Sequence, residues 1–132
     1  MSTLDPQPVA PRPSAGDLQS VVRKLGIPVA QRHIFLCADA TNPKCCDRER
    51  SLAAWDFLKA RLKELGLSEA GGIQRTKANC LRLCADGPIA VVYPEATWYT
   101  YVDQADIDEI VESHLKNGRV VERLLTPPHV GR

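Results

Sequence analysis

The sequence predicts an α/β sandwich around a mixed β-sheet, in the order β-α-β-β-β-α, with an extra N-terminal helix. Three observations predict it. Four short runs, at 33–38, 73–80, 88–94 and 96–102, are rich in apolar, β-branched or aromatic residues and read as strands. A strongly periodic helical segment at 51–66 separates the first two, the strand–helix–strand pattern that makes a parallel pair. The last two are split only by a Pro-Glu turn, so they read as a β-hairpin, and a second amphipathic helix at 103–118 follows to pack on the sheet.

Taken in order, residues 1–16 hold four of the ten prolines (Pro6, Pro8, Pro11 and Pro13) and read as a disordered or polyproline-like arm. In DLQSVVRKLGI, Leu18, Val21, Val22 and Leu25 recur at helical spacing, with Asp17 as N-cap and Gly26 as stop. This short amphipathic helix either docks on the domain, the commoner outcome, or reaches for a partner. HIFLCA (33–38) suits a buried strand, and the polar loop DATNPKCCDRER follows it. In SLAAWDFLKARLKELG (51–66), Leu52, Trp55, Leu58, Leu62 and Leu65 form an apolar stripe, Ser51 is the expected cap, and Gly66 ends the helix. IQRTKANC (73–80) is the second strand. In DQADIDEIVESHLKNG (103–118), Asp103 or Asp106 caps an acidic first half, and Lys116 and Gly118 lie at the end, as the helix dipole favours. Residues 119–132 read as a loose tail. No internal repeat is found.

At 132 residues the chain is one domain's worth, able to build a core without disulfides. Seventeen Lys and Arg against sixteen Asp and Glu leave a net charge of +1, which argues against a general nucleic-acid binder. No apolar run is long enough for a membrane span. MSTLDPQPVAPRPSAGD has the pattern of neither a secretory signal nor a transit peptide, so a cytoplasmic location is expected, where thiols stay reduced. The outlier is cysteine: five residues, too few and too unevenly placed for a disulfide scaffold, and odd in number. In a reducing compartment, clustered Cys read first as metal ligands or redox groups.

Cys37 ends the first strand and Cys80 ends the second. The helical crossover makes those strands parallel, so their C-terminal ends share one sheet edge although the two cysteines are 43 positions apart. Cys80 and Cys84 are spaced C-x3-C, close enough for both thiolates to reach one centre. Cys45 and Cys46 lie on the loop leaving the same edge. Four thiolates therefore converge: Cys37, one of Cys45 and Cys46, Cys80 and Cys84. Such a set suits Zn²⁺ or an iron–sulfur cluster. The first pair is C-x7-C or C-x8-C, too open for a zinc knuckle, and a two-iron cluster spans a wider gap than a single ion, so the spacing leans toward [2Fe–2S]. No C-x-x-C is present to favour thiol–disulfide chemistry.

HIFLCADATNPKCC, KANCLRLCADGPIAVVYPEATWYTYV and DIDEIVESHLKNGRVVERLL together resemble the thioredoxin-like [2Fe–2S] ferredoxins over about residues 31–125, most specifically in C-x3-C followed by GP-x-A-V-V-Y-P-x-x-x-W-Y. The resemblance implies a thioredoxin-like fold, one [2Fe–2S] cluster on four Cys ligands, one-electron transfer between redox partner proteins (a reductase or an acceptor enzyme), and a homodimer. It implies an electron carrier and not an enzyme. The implied organisation is an arm at 1–16, a helix and linker at 17–30, the ferredoxin domain at 31–125 and a flexible tail at 126–132. The family's first loop is usually longer than the one here, which leaves Cys45 or Cys46 open as second ligand. Matching the pair to family members favours Cys46, nine residues before Trp55, giving Cys37, Cys46, Cys80 and Cys84. The competing readings are a redox-sensing regulatory module, a small subunit of a larger oxidoreductase, and a zinc-stabilised interaction domain.

Gly87-Pro88 reads as a turn out of the Cys80–Cys84 segment. Trp98, Tyr99 and Tyr101 read as core or dimer contacts ahead of an electron relay. His33, His114 and His129 lack ligand spacing and read as ordinary surface or strand-end residues. Lys44, Arg48, Arg50, Lys77 and Arg82 flank the ligands in sequence, either as a solvated face offsetting cluster charge or as a docking rim for an acidic redox partner.

Overall fold

A helical crossover forces two strands parallel, and a short turn forces two antiparallel; both constraints operate in one sheet here. The computed structural model describes residues 15–38, 48–78, 81 and 88–126. Its strands are β1 (Arg32–Cys37), β2 (Ile73–Ala78), β3 (Ile89–Tyr93) and β4 (Thr97–Thr100), in the spatial order β2-β1-β3-β4. β1 pairs parallel with β2, from Arg32↔Ile73 to Cys37↔Ala78. It pairs antiparallel with β3, and β3 with β4, through Leu36↔Ala90 and Ala90↔Tyr99. The mixed sheet and the β-α-β-β-β-α order are as the sequence predicts, and they match a thioredoxin-like fold.

The helices are α1 (Ala15–Lys24), α2 (Arg48–Glu64) and α3 (Gln104–Glu109), the last continuing as a π-helical turn, Ile110–Leu115. Strand residues of alternate parity face opposite sides. Ile34, Leu36, Ala90, Val92, Tyr99 and Tyr101 form the inner face with α2 and α3 over it. On α2, Ala54, Leu58 and Leu62 recur every four residues and are almost fully buried there. Fully burying one such leucine contributes roughly 2 kcal/mol. Gly66 ends α2 at φ 69°, in a Schellman motif closed by Gly66 N–H to Lys63 O (3.1 Å) and Leu67 N–H to Leu62 O (2.9 Å). The Arg61 guanidinium locks α2 to the last helix through Asp108 and Glu112, both at 2.7 Å. The opposite sheet face carries Phe35, Tyr93 and Trp98, with His33 stacked on Phe35 at 4.2 Å between centroids.

Several expectations change. Ser51 does not cap α2. The helix starts at Arg48, and Ser51 is buried in its first turns. Asp17 likewise falls inside the first turn of α1, because the helix begins at Ala15. Helix 103–118 is not uniform. Asp103 caps α3 by accepting from Ala105 N–H at 3.1 Å, but the second half widens to i→i+5 bonding, with Lys116 N–H on Val111 O. The tail from 119 is not loose up to Thr126. Val121, Leu124 and Thr126 are buried, and Leu125 bridges to Tyr99 along the outer side of β4. Docking of α1 is partial. Gly26, at φ 73°, seats the chain against Glu69 and Ala70, and Gln74 Nε2 donates to Leu25 O at 2.7 Å. Leu18, Val21 and Leu25 nevertheless stay exposed. The arm 1–14 lies outside the described residues.

Candidate metal centre

The parallel β1–β2 register builds the candidate centre. Cys37 is the last residue of β1, is 7% exposed, and stands opposite Ala78, the last residue of β2. Ala38 N–H donates to Ala78 O at 2.9 Å, so the two chains are still bonded where they leave the sheet. Cys80 follows Ala78 by two residues in sequence. α2 lies in the crossover between the parallel strands β1 and β2, which brings its N-terminus to the same edge. That end of a 17-residue helix carries partial positive charge, favourable to an anionic neighbour. β4 runs parallel to β1 and therefore ends at this edge too.

Tyr101, just beyond β4, is 1% exposed, and its hydroxyl donates to Cys37 O at 2.9 Å. Its own N–H donates to Pro88 O at 3.1 Å, where the chain enters β3. The next residue, Val102, donates its N–H to Asp106 Oδ2 at 2.8 Å, and Asp106 Oδ1 accepts from Arg123 at 2.8 Å. The backbone beside the candidate centre is thus anchored to the start of α3.

At the other end of the sheet His114 is fully buried, which corrects its reading as a surface residue. Val121 N–H donates to the Tyr99 hydroxyl at 3.0 Å, which leaves that hydroxyl to donate to His114 Nδ1 at 2.7 Å. His114 Nε2 lies 3.1 Å from Glu95 Oε1, so a ring protonated at Nε2 donates to Glu95 while Nδ1 accepts from Tyr99. Burial would raise the Glu95 carboxyl, but hydrogen bonds from His114, its own backbone and Arg32 outweigh that and hold it below the usual carboxylate value. His33, near 6.5 ordinarily, is lowered by partial burial.

Of the residues expected as ligands, Cys37 is described, as the last residue of β1. Cys46, Cys80 and Cys84, with the alternative Cys45, lie outside the described residues. Of the expected rim, Arg50 and Lys77 are exposed, while Lys44, the Arg48 side chain and Arg82 are not described. His129 and Gly87 are also outside the described residues. Tyr99 and Tyr101 are core, as expected, and Trp98 is half-buried. The contact of Tyr101 with Cys37 was not legible in sequence. Its one signal was a tyrosine at an inward-facing strand end, whose hydroxyl must find a partner if buried.

No family model matches the chain. Individual relatives do. A protein named 2Fe-2S ferredoxin from Clostridium pasteurianum is 39% identical over 98 residues, covering 71% of this chain and 94% of that protein. A 2Fe-2S ferredoxin from Aquifex aeolicus is 35% identical over 99 residues, covering 71% and 87%. The solved thioredoxin-like [2Fe-2S] ferredoxin of Aquifex aeolicus superposes with a TM-score of 0.63 at 32% identity, covering 73% of this chain and 96% of that one.

Proposed function

Because this chain belongs to the thioredoxin-like [2Fe–2S] ferredoxins, an iron–sulfur electron-carrier family, we propose that it moves single electrons between a reductase and an acceptor protein and has no substrate of its own. Its cofactor is a [2Fe–2S] cluster. When bound, such a cluster supplies a one-electron couple at thiolate-held iron.

The ligands in this reading are Cys37, Cys46, Cys80 and Cys84. The observation that carries it is the Cys37↔Ala78 register. A buried thiol at a strand end, with the neighbouring strand ending level with it, suits a soft thiolate-bound metal group. Two residues of chain reach at most about 7 Å, which keeps Cys80 within range of the same edge. The α2 N-terminus offsets anionic charge there. Burial of Cys37 and of its neighbour Ala38 excludes water from one side of the group. Exposed Arg50 and Lys77 support a basic rim for an acidic partner, acting mainly on the rate of encounter.

The sheet face opposite α2 and α3, with Phe35, Tyr93 and Trp98, supports a symmetric homodimer. The domain is assigned to 31–125, with 17–30 as an appended helix and linker, 1–16 as an arm and 126–132 as a tail. A cytoplasmic location follows from a cysteine set that needs reduced thiols. No helix among the described residues is long and apolar enough to cross a membrane.

A visible spectrum before and after dithionite tests the function. Reversible bleaching of a coloured protein is expected. A colourless protein with stoichiometric zinc sinks the reading, and colour that does not bleach reversibly sinks the carrier role. Cys45→Ser should keep a normal cluster and Cys46→Ser should not; the reverse result moves the second ligand to Cys45.

A further inference from the structure

Hydrogen bonds from the hydroxyl and the backbone N–H of Tyr101 stand on either side of the candidate centre. The hydroxyl holds the carbonyl of Cys37 at 2.9 Å, reaching past β3 from the strand beyond it. The backbone N–H holds the carbonyl of Pro88 at 3.1 Å, at the point where the segment bearing Cys80 and Cys84 rejoins the sheet. β1–β3 pairing runs only to Leu36↔Ala90, so this hydroxyl ties β1 to the far strand beyond the last registered pair. The residue that makes these bonds is itself immobilised. Its ring is 1% exposed, and the following residue is pinned to Asp106, which Arg123 holds in turn.

We propose that Tyr101 is a positioning residue for the cluster, fixing the backbone of Cys37 relative to the exit of the Cys80–Cys84 segment. The inference rests on the reading of Cys37 as a ligand. A carbonyl held by a buried hydroxyl cannot rotate freely, so the Cα–Cβ direction of Cys37 is fixed before the cluster arrives. Preorganised ligands retain a metal group better, and small changes in ligand direction alter its electronic structure. Tyr101→Phe keeps the ring and the backbone bond to Pro88 and removes the hydroxyl that reaches Cys37.

The test compares holoprotein variants by electron paramagnetic resonance of the dithionite-reduced state and by the rate of cluster loss to a chelator. Tyr101→Phe is expected to shift the g-values and to speed cluster loss about two- to tenfold, the weight of one buried hydrogen bond. Tyr99→Phe, which deletes an equally buried hydroxyl that contacts His114 instead, should lower the melting temperature and leave the g-values unchanged. Wild-type g-values and loss rate in Tyr101→Phe overturn the inference, as does an equal shift in Tyr99→Phe. If Tyr101→Phe does not fold, 3-fluorotyrosine at 101 keeps the ring and strengthens the donor; slower cluster loss is then expected, and an unchanged rate overturns the inference. Cys37→Ser checks the premise separately. An unaltered cluster in that variant means the ligand reading has failed, whereas an altered one beside a wild-type Tyr101→Phe means only the positioning role has.

Discussion

The Thr97 side chain is fully buried in β4, and its hydroxyl oxygen has no hydrogen-bond partner among the described residues. A buried, unpaired hydroxyl is destabilising, and valine has nearly the same shape and a high strand preference. Thr97→Val should therefore raise stability by about 1 kcal/mol in urea unfolding; a loss of that size would mean the hydroxyl has a partner after all. His33 carries a pH-dependent contribution. Burial lowers its folded value below the ordinary 6.5. The unfolded chain then binds the proton more tightly, so stability is full above 6.5 and falls as pH drops through that value toward the folded one. His33→Gln should flatten the melting-temperature profile between pH 7 and pH 5.5. If the two profiles stay parallel, His33 is not the group responsible.

The α1 helix illustrates how an amphipathic pattern can be read correctly and its burial misjudged. Leu18 and Val21 are 57% and 50% exposed, so the helix gains little from its apolar stripe. What attaches it is a backbone contact at Gly26, where a Cβ would stand 2.0 Å from Glu69 O on a backbone at φ 73°. Gly26→Ala should release residues 15–30 and leave the domain folded. Limited proteolysis ought then to cut faster within 15–30, with the unfolding midpoint of the rest little changed. Equal cleavage in both proteins would show that the seat is elsewhere. The α2–α3 pair is held differently, by the buried Leu58 and Leu62 and by Arg61 bridging Asp108 and Glu112. Arg123 clasps Asp106 and Glu109 to tie the last segment to the same helix.

For the whole molecule, near-neutral net charge conceals an uneven distribution. Arg50 and Lys77 are exposed near the Cys37 edge of the sheet, while Asp106, Asp108, Glu109 and Glu112 line the last helix. The proposed homodimer would use the half-exposed aromatic sheet face. Sedimentation equilibrium should report a dimer that Trp98→Glu weakens at least tenfold, since burying an unpaired charge opposes association. A monomer in the wild type, or an unaffected dimer in the variant, removes that face from the interface.

Element order, parallel and antiparallel pairing, the α2 stripe and the cysteine spacing were legible in the sequence, because each follows from local periodicity and short connections. The contribution of Cys37 to a shared edge was legible too, since a helical crossover leaves a parallel pair little choice of direction. What no pattern could reveal were partners set by distance in space and not along the chain. The tertiary structure alone decided that Tyr101 reaches a carbonyl 64 residues away, that His114 is sealed between Tyr99 and Glu95, that Ser51 is buried in a helix that starts before it, and that residues 119–126 close against β4. Local sequence fixes backbone preference and which face is apolar. Where a polar atom finds its partner is decided only when the elements pack, because burying a polar group unpaired is costly and most take the partner the assembled core supplies, the Thr97 hydroxyl being an exception.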